Sequence, residues 1–200
     1  MKTETTVVTT KGVGLNEALA AAEKAGTDAG LDKKSALHLR LLSEELFGIL
    51  RGIAGDFSAS CWTEYENKNF ELHMKADVEM SDEMREQFLN ASSSGKNSAA
   101  VGFMGKIKVF IADTLLSAKQ ALPYAMMNAA SAYPSGNAGE CVSIWTMAAY
   151  KEELQKHIKD QDEAHAAWDE LEKSIVANIA DDVKVKIIGS NVEIIVIKTF

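Results

Sequence analysis

A chain of 200 residues, 46% hydrophobic and 25% charged, is long enough to bury a core and has the composition of one globular domain. Its formal net charge of −8 argues against a surface for nucleic acid or for an anionic membrane, since both are polyanions. No apolar run approaches the roughly 18 residues of a membrane span.

The polar start MKTETTVVTT lacks the apolar segment of a signal peptide, and the reading is a cytoplasmic protein. Within that start, TETTVVTT is β-branched and predicts a strand from about Thr3 to Thr9. GLNEALAAAEKAGTDAGL predicts a helix ended by Gly26 and Gly30. Asp32 then caps a second helix running to about Ala54. Alternation on both sides of ENKN predicts a hairpin, Ala59–Glu66 with Asn69–Asp77.

SDEMREQFL reads as a short helix and NASSSGKNSAAVG as a polar loop. FMGKIKVFIADTLLSAKQAL is helical, with Ile107, Phe110, Ile111 and Leu115 at helical spacing. Pro123 kinks or breaks this helix, and MMNAASAY continues as helix beyond it. CVSIWTM is a strand. A long amphipathic helix over about 150–180 puts Leu154, Ile158, Trp168, Leu171 and Ile175 on one stripe. That stripe packs on the sheet or forms a dimer or partner interface. VKVKII and NVEIIVIKTF, joined by GSN, close the chain as a hairpin.

This order predicts an α+β two-layer sandwich: a mixed, mostly antiparallel sheet with helices on one face. The outer strands remain open edges that can pair with another chain. Cys61 and Cys141 make no disulfide framework and read as buried thiols. The histidines His38, His73, His157 and His165 form no ligand set, so no metal site is expected.

The stretch LLSEELFGIL is unusual in carrying two adjacent carboxylates, Glu44 and Glu45, inside an apolar helix. At about 100° per residue, Leu39, Leu42, Leu46, Ile49, Leu50 and Ile53 form the core stripe. Glu44, Gly48 and Arg51 gather opposite, with Leu37 and Leu41 on their side. This second face reads either as a pocket wall or as a solvated pair of charges.

The element order and the Leu42-Ser43-Glu44 match make the chain resemble the GHKL superfamily, the histidine-kinase, gyrase and Hsp90-like ATPases with the Bergerat fold. It looks closest to the small bacterial anti-sigma-factor kinases. The resemblance covers the order of elements over most of one domain, residues 1–200, with a strand and helix inserted at about 140–180. It implies that Glu44 is a general base and that Gly48 occupies the position of the asparagine that holds Mg²⁺. Arg51 lies where the family often has a basic residue. Asp77 is the nearest match to the adenine-binding aspartate, one residue out of the usual alternation. Val78, Glu79 and Met80 come after it where the family has spaced glycines. Gly102 and Gly105 match the lid that opens a helix, where free N–H groups favour anions, and Lys106 and Lys96 add positive charge there.

The resemblance implies one of two functions. The first is a signalling or regulatory protein with a degenerate ATPase-type fold that acts mainly by binding a protein partner or a second copy, with ATP and Mg²⁺ as weak ligands. Glycine offers no side-chain oxygen to a metal, so this reading is not a competent ATPase or kinase. The alternative is an active ATP-binding, serine- or histidine-kinase-like anti-sigma regulator.

Overall fold

The computed structural model describes residues 1–52, 54–78, 103–120, 142–157 and 162–200. Six strands and six helices lie within them. In chain order these are β1 (Thr6–Thr9), α1 (Leu15–Asp28), α2 (Lys33–Arg51), β2 (Ser58–Glu66) and β3 (Asn69–Asp77). Then come α3 (Phe103–Gln120), β4 (Val142–Thr146), α4 (Met147–His157), α5 (Asp162–Lys173), α6 (Ile175–Ile179), β5 (Asp182–Ile188) and β6 (Asn191–Thr199). The expected SDEMREQFL helix, the NASSSGKNSAAVG loop, Pro123, the MMNAASAY helix and Cys141 lie outside the described residues, as do Ile53, Glu79, Met80 and Ile158.

The strands form one sheet in the order β1-β2-β3-β6-β5-β4, and every neighbouring pair is antiparallel. The mixed sheet expected from the sequence is therefore corrected. Four of the five pairs join strands consecutive in the chain. The fifth, β3 with β6, runs in full register from Asn69↔Thr199 to Asp77↔Asn191 and welds the two three-stranded halves together.

Strand alternation then builds the core. Phe70, Leu72, Met74 and Ala76 on β3, Val192, Ile194 and Val196 on β6, and Val183, Val185 and Ile187 on β5 all point to the helix side and are buried. They meet Leu39, Leu42, Leu46, Ile49 and Leu50 of α2, the predicted stripe. Such an arrangement is a two-layer α+β sandwich.

Asp32 caps α2 as expected, its Oδ1 accepting from the Ser35 N–H at 3.0 Å. Gly30 takes φ 78 just beyond α1, but Gly26 does not end that helix. It sits where α1 crosses α2, and a Cβ there would lie 2.9 Å from Leu39 Cδ1 and 3.2 Å from the Ala36 Cα. Small size, not chain termination, explains this glycine.

The single helix expected over 150–180 is replaced by α4, α5 and α6. Ser174 interrupts it, accepting from the Ala177 N–H at 3.3 Å and starting α6. The break takes Ile175 off the stripe. Leu154 and Leu171 are buried, whereas Ile175 is 46% exposed. None of the described helices is long and apolar enough to cross a membrane.

Asp181 pins the start of β5 to the end of β6. Its carboxylate accepts from Lys198 Nζ at 2.8 Å and from the Thr199 N–H at 2.7 Å. Partial burial pushes this carboxyl up, but the two donors outweigh it and hold the group below its ordinary value. A depressed carboxylate adds stability above the unfolded pKa, and that stability is lost as pH falls through the folded value. Asp181→Ala should therefore cost about 1 kcal/mol at pH 7. Urea melts across pH should show the cost shrinking in acid.

Burial pushes the Cys61 thiol up to about 12. Only the thiolate reacts readily. In a Cys141→Ser background, Ellman's reagent at pH 8 should leave the native protein unmodified and titrate Cys61 once urea unfolds the chain.

Candidate functional site

The solvent side of α2 carries Glu44, Gly48 and Arg51, all exposed. Leu37, 42% exposed, and the half-buried Leu41 share it. The helical spacing therefore places these residues correctly. A Cβ added to Gly48 would meet nothing within 4 Å. This face is open surface rather than the wall of a closed pocket.

Asp77 is not brought to it. It lies between Ala76 and Val78, which are buried on the helix side, so its own side chain emerges from the opposite face of the sheet. Glu44 and Asp77 thus sit on opposite sides of the molecule's two layers. Val78, 1% exposed, fills the helix-side position beyond β3.

Gly105 is buried and Lys106 exposed near the start of α3. Lys96 and Gly102 lie outside the described residues. One cation that was not singled out in the sequence reaches α2: the Lys108 side chain lies directly over Gly52, one residue beyond Arg51.

A crevice open to solvent lies among α1, α2 and the first three strands, lined by Leu15, Ala18, Ser43, Cys61 and Thr63. It has room for about one water molecule. It reaches neither Glu44 nor Gly48 nor Asp77. Among the described residues no group of three or more His, Cys, Asp or Glu side chains is placed to hold a metal ion.

The most organised polar cluster is on the sheet face away from the helices. Trp62 of β2 and His73 of β3 are cross-strand partners, their rings stacked 4.7 Å apart at 7°. His73 Nδ1 lies 3.1 Å from Glu193 Oε1, and Nε2 lies 3.4 Å from Glu71 Oε2. The imidazole is thus held between two carboxylates, its side chain only 9% exposed. Trp62 Nε1 donates to Glu64 Oε1 at 2.8 Å, and Lys2 Nζ sits 4.4 Å from the indole centroid and 3.0 Å from the same carboxylate. The Lys2 and Trp62 donors hold the Glu64 carboxyl below its usual range.

Register continues the row across the sheet: Trp62, His73, Ile195, Lys184 and Thr146 are successive neighbours on β2, β3, β6, β5 and β4. Trp62 and Ile195 are half-buried and belong to no part of the helix-side core. Flanking rows bring Ile197, Ile188 and the 36%-exposed Ile144 to the same face. The face thus interleaves an aromatic anchor and isoleucines with His73, Glu71, Glu193, Lys75, Lys184 and Lys186.

The sequence reading missed this face, although half of it was within reach. A two-residue turn at Asn67-Lys68, both at positive φ, sets Trp62 opposite His73 by simple counting. The pairing of His73 with Ile195 joins residues far apart in the chain and leaves no local signal.

Compared with known proteins, the chain matches no family model, no curated protein sequence and no solved structure.

Proposed function

We propose that the chain is a regulatory binding module with a degenerate ATPase-type fold, working through protein contacts at the open face of its sheet. The observation that carries this reading is the row Trp62–His73–Ile195 at the centre of a face whose opposite side takes all the described helix packing. A stacked tryptophan with its N–H already bonded gives a rigid, amphipathic anchor, the kind of side chain that dominates binding energy at interfaces. His73, wedged between Glu71 and Glu193, fixes the ring beneath it.

A second reading keeps nucleotide binding. It draws on Arg51 and Lys108, two cations near the open Gly48, where phosphates would be attracted. Against turnover stands Gly48, which gives Mg²⁺ no side-chain oxygen, and phosphoryl transfer depends on that ion's placement.

Paired variants separate the two. Trp62→Asp should weaken the complex that the wild-type protein forms in its native source by about 30-fold or more, the loss of a hot-spot tryptophan. Glu44→Ala should leave that complex at wild-type strength. Calorimetry with ATP and Mg²⁺ completes the test: the reverse ranking, with heat abolished by Glu44→Ala, would replace the first reading by the second.

A further inference from the structure

We infer that His73 and Glu71 form a divalent metal site of the zinc class on the open sheet face, with Glu193 orienting the imidazole from behind. The inference goes beyond the binding-module reading and does not depend on it.

The contacts of the ring set the problem. Glu193 Oε1, 3.1 Å from Nδ1, takes the one N–H of a neutral imidazole. The Nε2 lone pair then faces Glu71 Oε2 at 3.4 Å, acceptor against acceptor. Nε2 is buried and makes no hydrogen bond, and the side chain as a whole is only 9% exposed. A buried polar atom without a partner costs stability. Glu71 is also short of a partner. It stands directly across the ladder from Glu64, like charge against like. Lys2 pairs with Glu64, and no lysine or arginine among the described residues pairs with Glu71.

A cation between Nε2 and Oε2 satisfies both groups, and the distance tells a metal ion from a proton. A charged N–H···O contact closes to about 2.7–2.9 Å. Zinc bonds of about 2.1 Å to nitrogen and oxygen, at the tetrahedral angle, hold the two ligand atoms about 3.4 Å apart. That is the separation found here.

The surroundings agree. Residues two apart on one strand share a face, so Glu71 and His73 converge without distorting the backbone. An Nδ1–H donated to a carboxylate is the outer contact by which metal-bound histidines fix their tautomer and orientation. Trp62, stacked 4.7 Å away, holds the ring plane. Among the described residues no third His, Cys, Asp or Glu side chain joins the pair. Glu71 is 48% exposed, so it can turn aside to admit the ion, and water completes the shell. Imidazole with carboxylate suits zinc better than magnesium, which takes oxygen ligands.

The experiment titrates Zn²⁺ alone into the full chain, followed by calorimetry and by NMR of the imidazole nitrogens. One ion should bind per chain, and His73 Nε2 should move first. His165, 65% exposed and 3.6 Å from Asp169, has no second carboxylate on its ring among the described residues and should move only at higher Zn²⁺. Mg²⁺ should leave His73 unmoved. Glu71→Gln and His73→Gln should each weaken binding at least about tenfold, and Glu193→Ala by about 10–100-fold. Glu193→Gln, whose amide oxygen still accepts from Nδ1–H, should recover most of that loss. Circular dichroism checks the fold of each variant.

Zn²⁺ bound as tightly by folded Glu71→Gln as by wild type, or signals that move at His165 before His73, would overturn the inference. So would a chain that takes up no Zn²⁺ below millimolar concentration. A His73 ring that keeps both protons when Zn²⁺ is added would show that a proton, not a metal ion, fills the gap.

Discussion

Phe70→Ala should lower stability by about 3–5 kcal/mol, the range for deleting a buried aromatic ring. Phe70 is 0% exposed on the helix side of β3. It stacks on Tyr65 across the hairpin, with centroids 5.5 Å apart, and meets the Phe200 ring edge-on at 5.8 Å. Removing it takes away both ring contacts and leaves a cavity where the hairpin and the C-terminus meet. Phe200 is otherwise held by its N–H bond to the Lys68 carbonyl at 3.1 Å and by its stack with His38. The last residue would lose one of these anchors, and fraying of β6 should accompany the loss. For a chain of this length the melting temperature should fall by roughly 6–20 °C. A scanning calorimeter reads it directly; a shift under about 2 °C would mean that this corner is not the packed junction described.

Gly14→Ala should cost about 2–5 kcal/mol, from two independent causes. The chain turns from β1 into α1 through a tight set of hydrogen bonds: Thr9 N–H to Val13 O, Gly12 N–H to Thr9 O, and Leu15 N–H to Gly12 O. Gly14, at φ 79, is the residue that enters the helix. A side chain at that angle is strained. Its Cβ would also collide with the Val7 carbonyl oxygen, a backbone atom that cannot rotate away. Gly12 provides the control. It has φ 81 but nothing within 4 Å of a built Cβ, so Gly12→Ala carries only the conformational penalty of about 1–2 kcal/mol. Urea melts of the two variants should differ by the collision alone. Equal losses would mean that β1 is free to move away from α1.

The hairpins were readable because their information is local. Alternation marked each strand, and short turns set the pairing. Helix α2 was readable for the same reason: the angle between successive residues put Leu42 and Leu46 inside and Glu44 and Gly48 outside, where the structure has them. The break at Ser174 was also visible in principle, since a serine followed by a fresh apolar run is a helix start. It was masked by the strength of the stripe around it. Gly26 misled because a helix glycine serves both termination and close approach, and only the neighbouring helix decides between them.

At the site, strand parity decides most. Phe70, Leu72, Met74, Ala76 and Val78 alternate without a gap, so Asp77 had to face away from the helices. That one-residue offset separates it from Glu44. The join of β3 to β6 brings His73, Ile195 and Glu193 together from opposite ends of the chain, and no window of sequence contains it.

The most direct measurement is an NMR titration that tracks both faces in one sample. The reporters are the Ile195 and Ile197 methyls and the Trp62 indole N–H on the sheet, and the Glu44 and Gly48 amides on α2. On adding the native partner, the sheet signals should move and the α2 signals should stay. ATP with Mg²⁺ at near-millimolar concentration should move neither set. Saturable shifts at Gly48 with nucleotide, alongside a silent sheet face, would contradict the account.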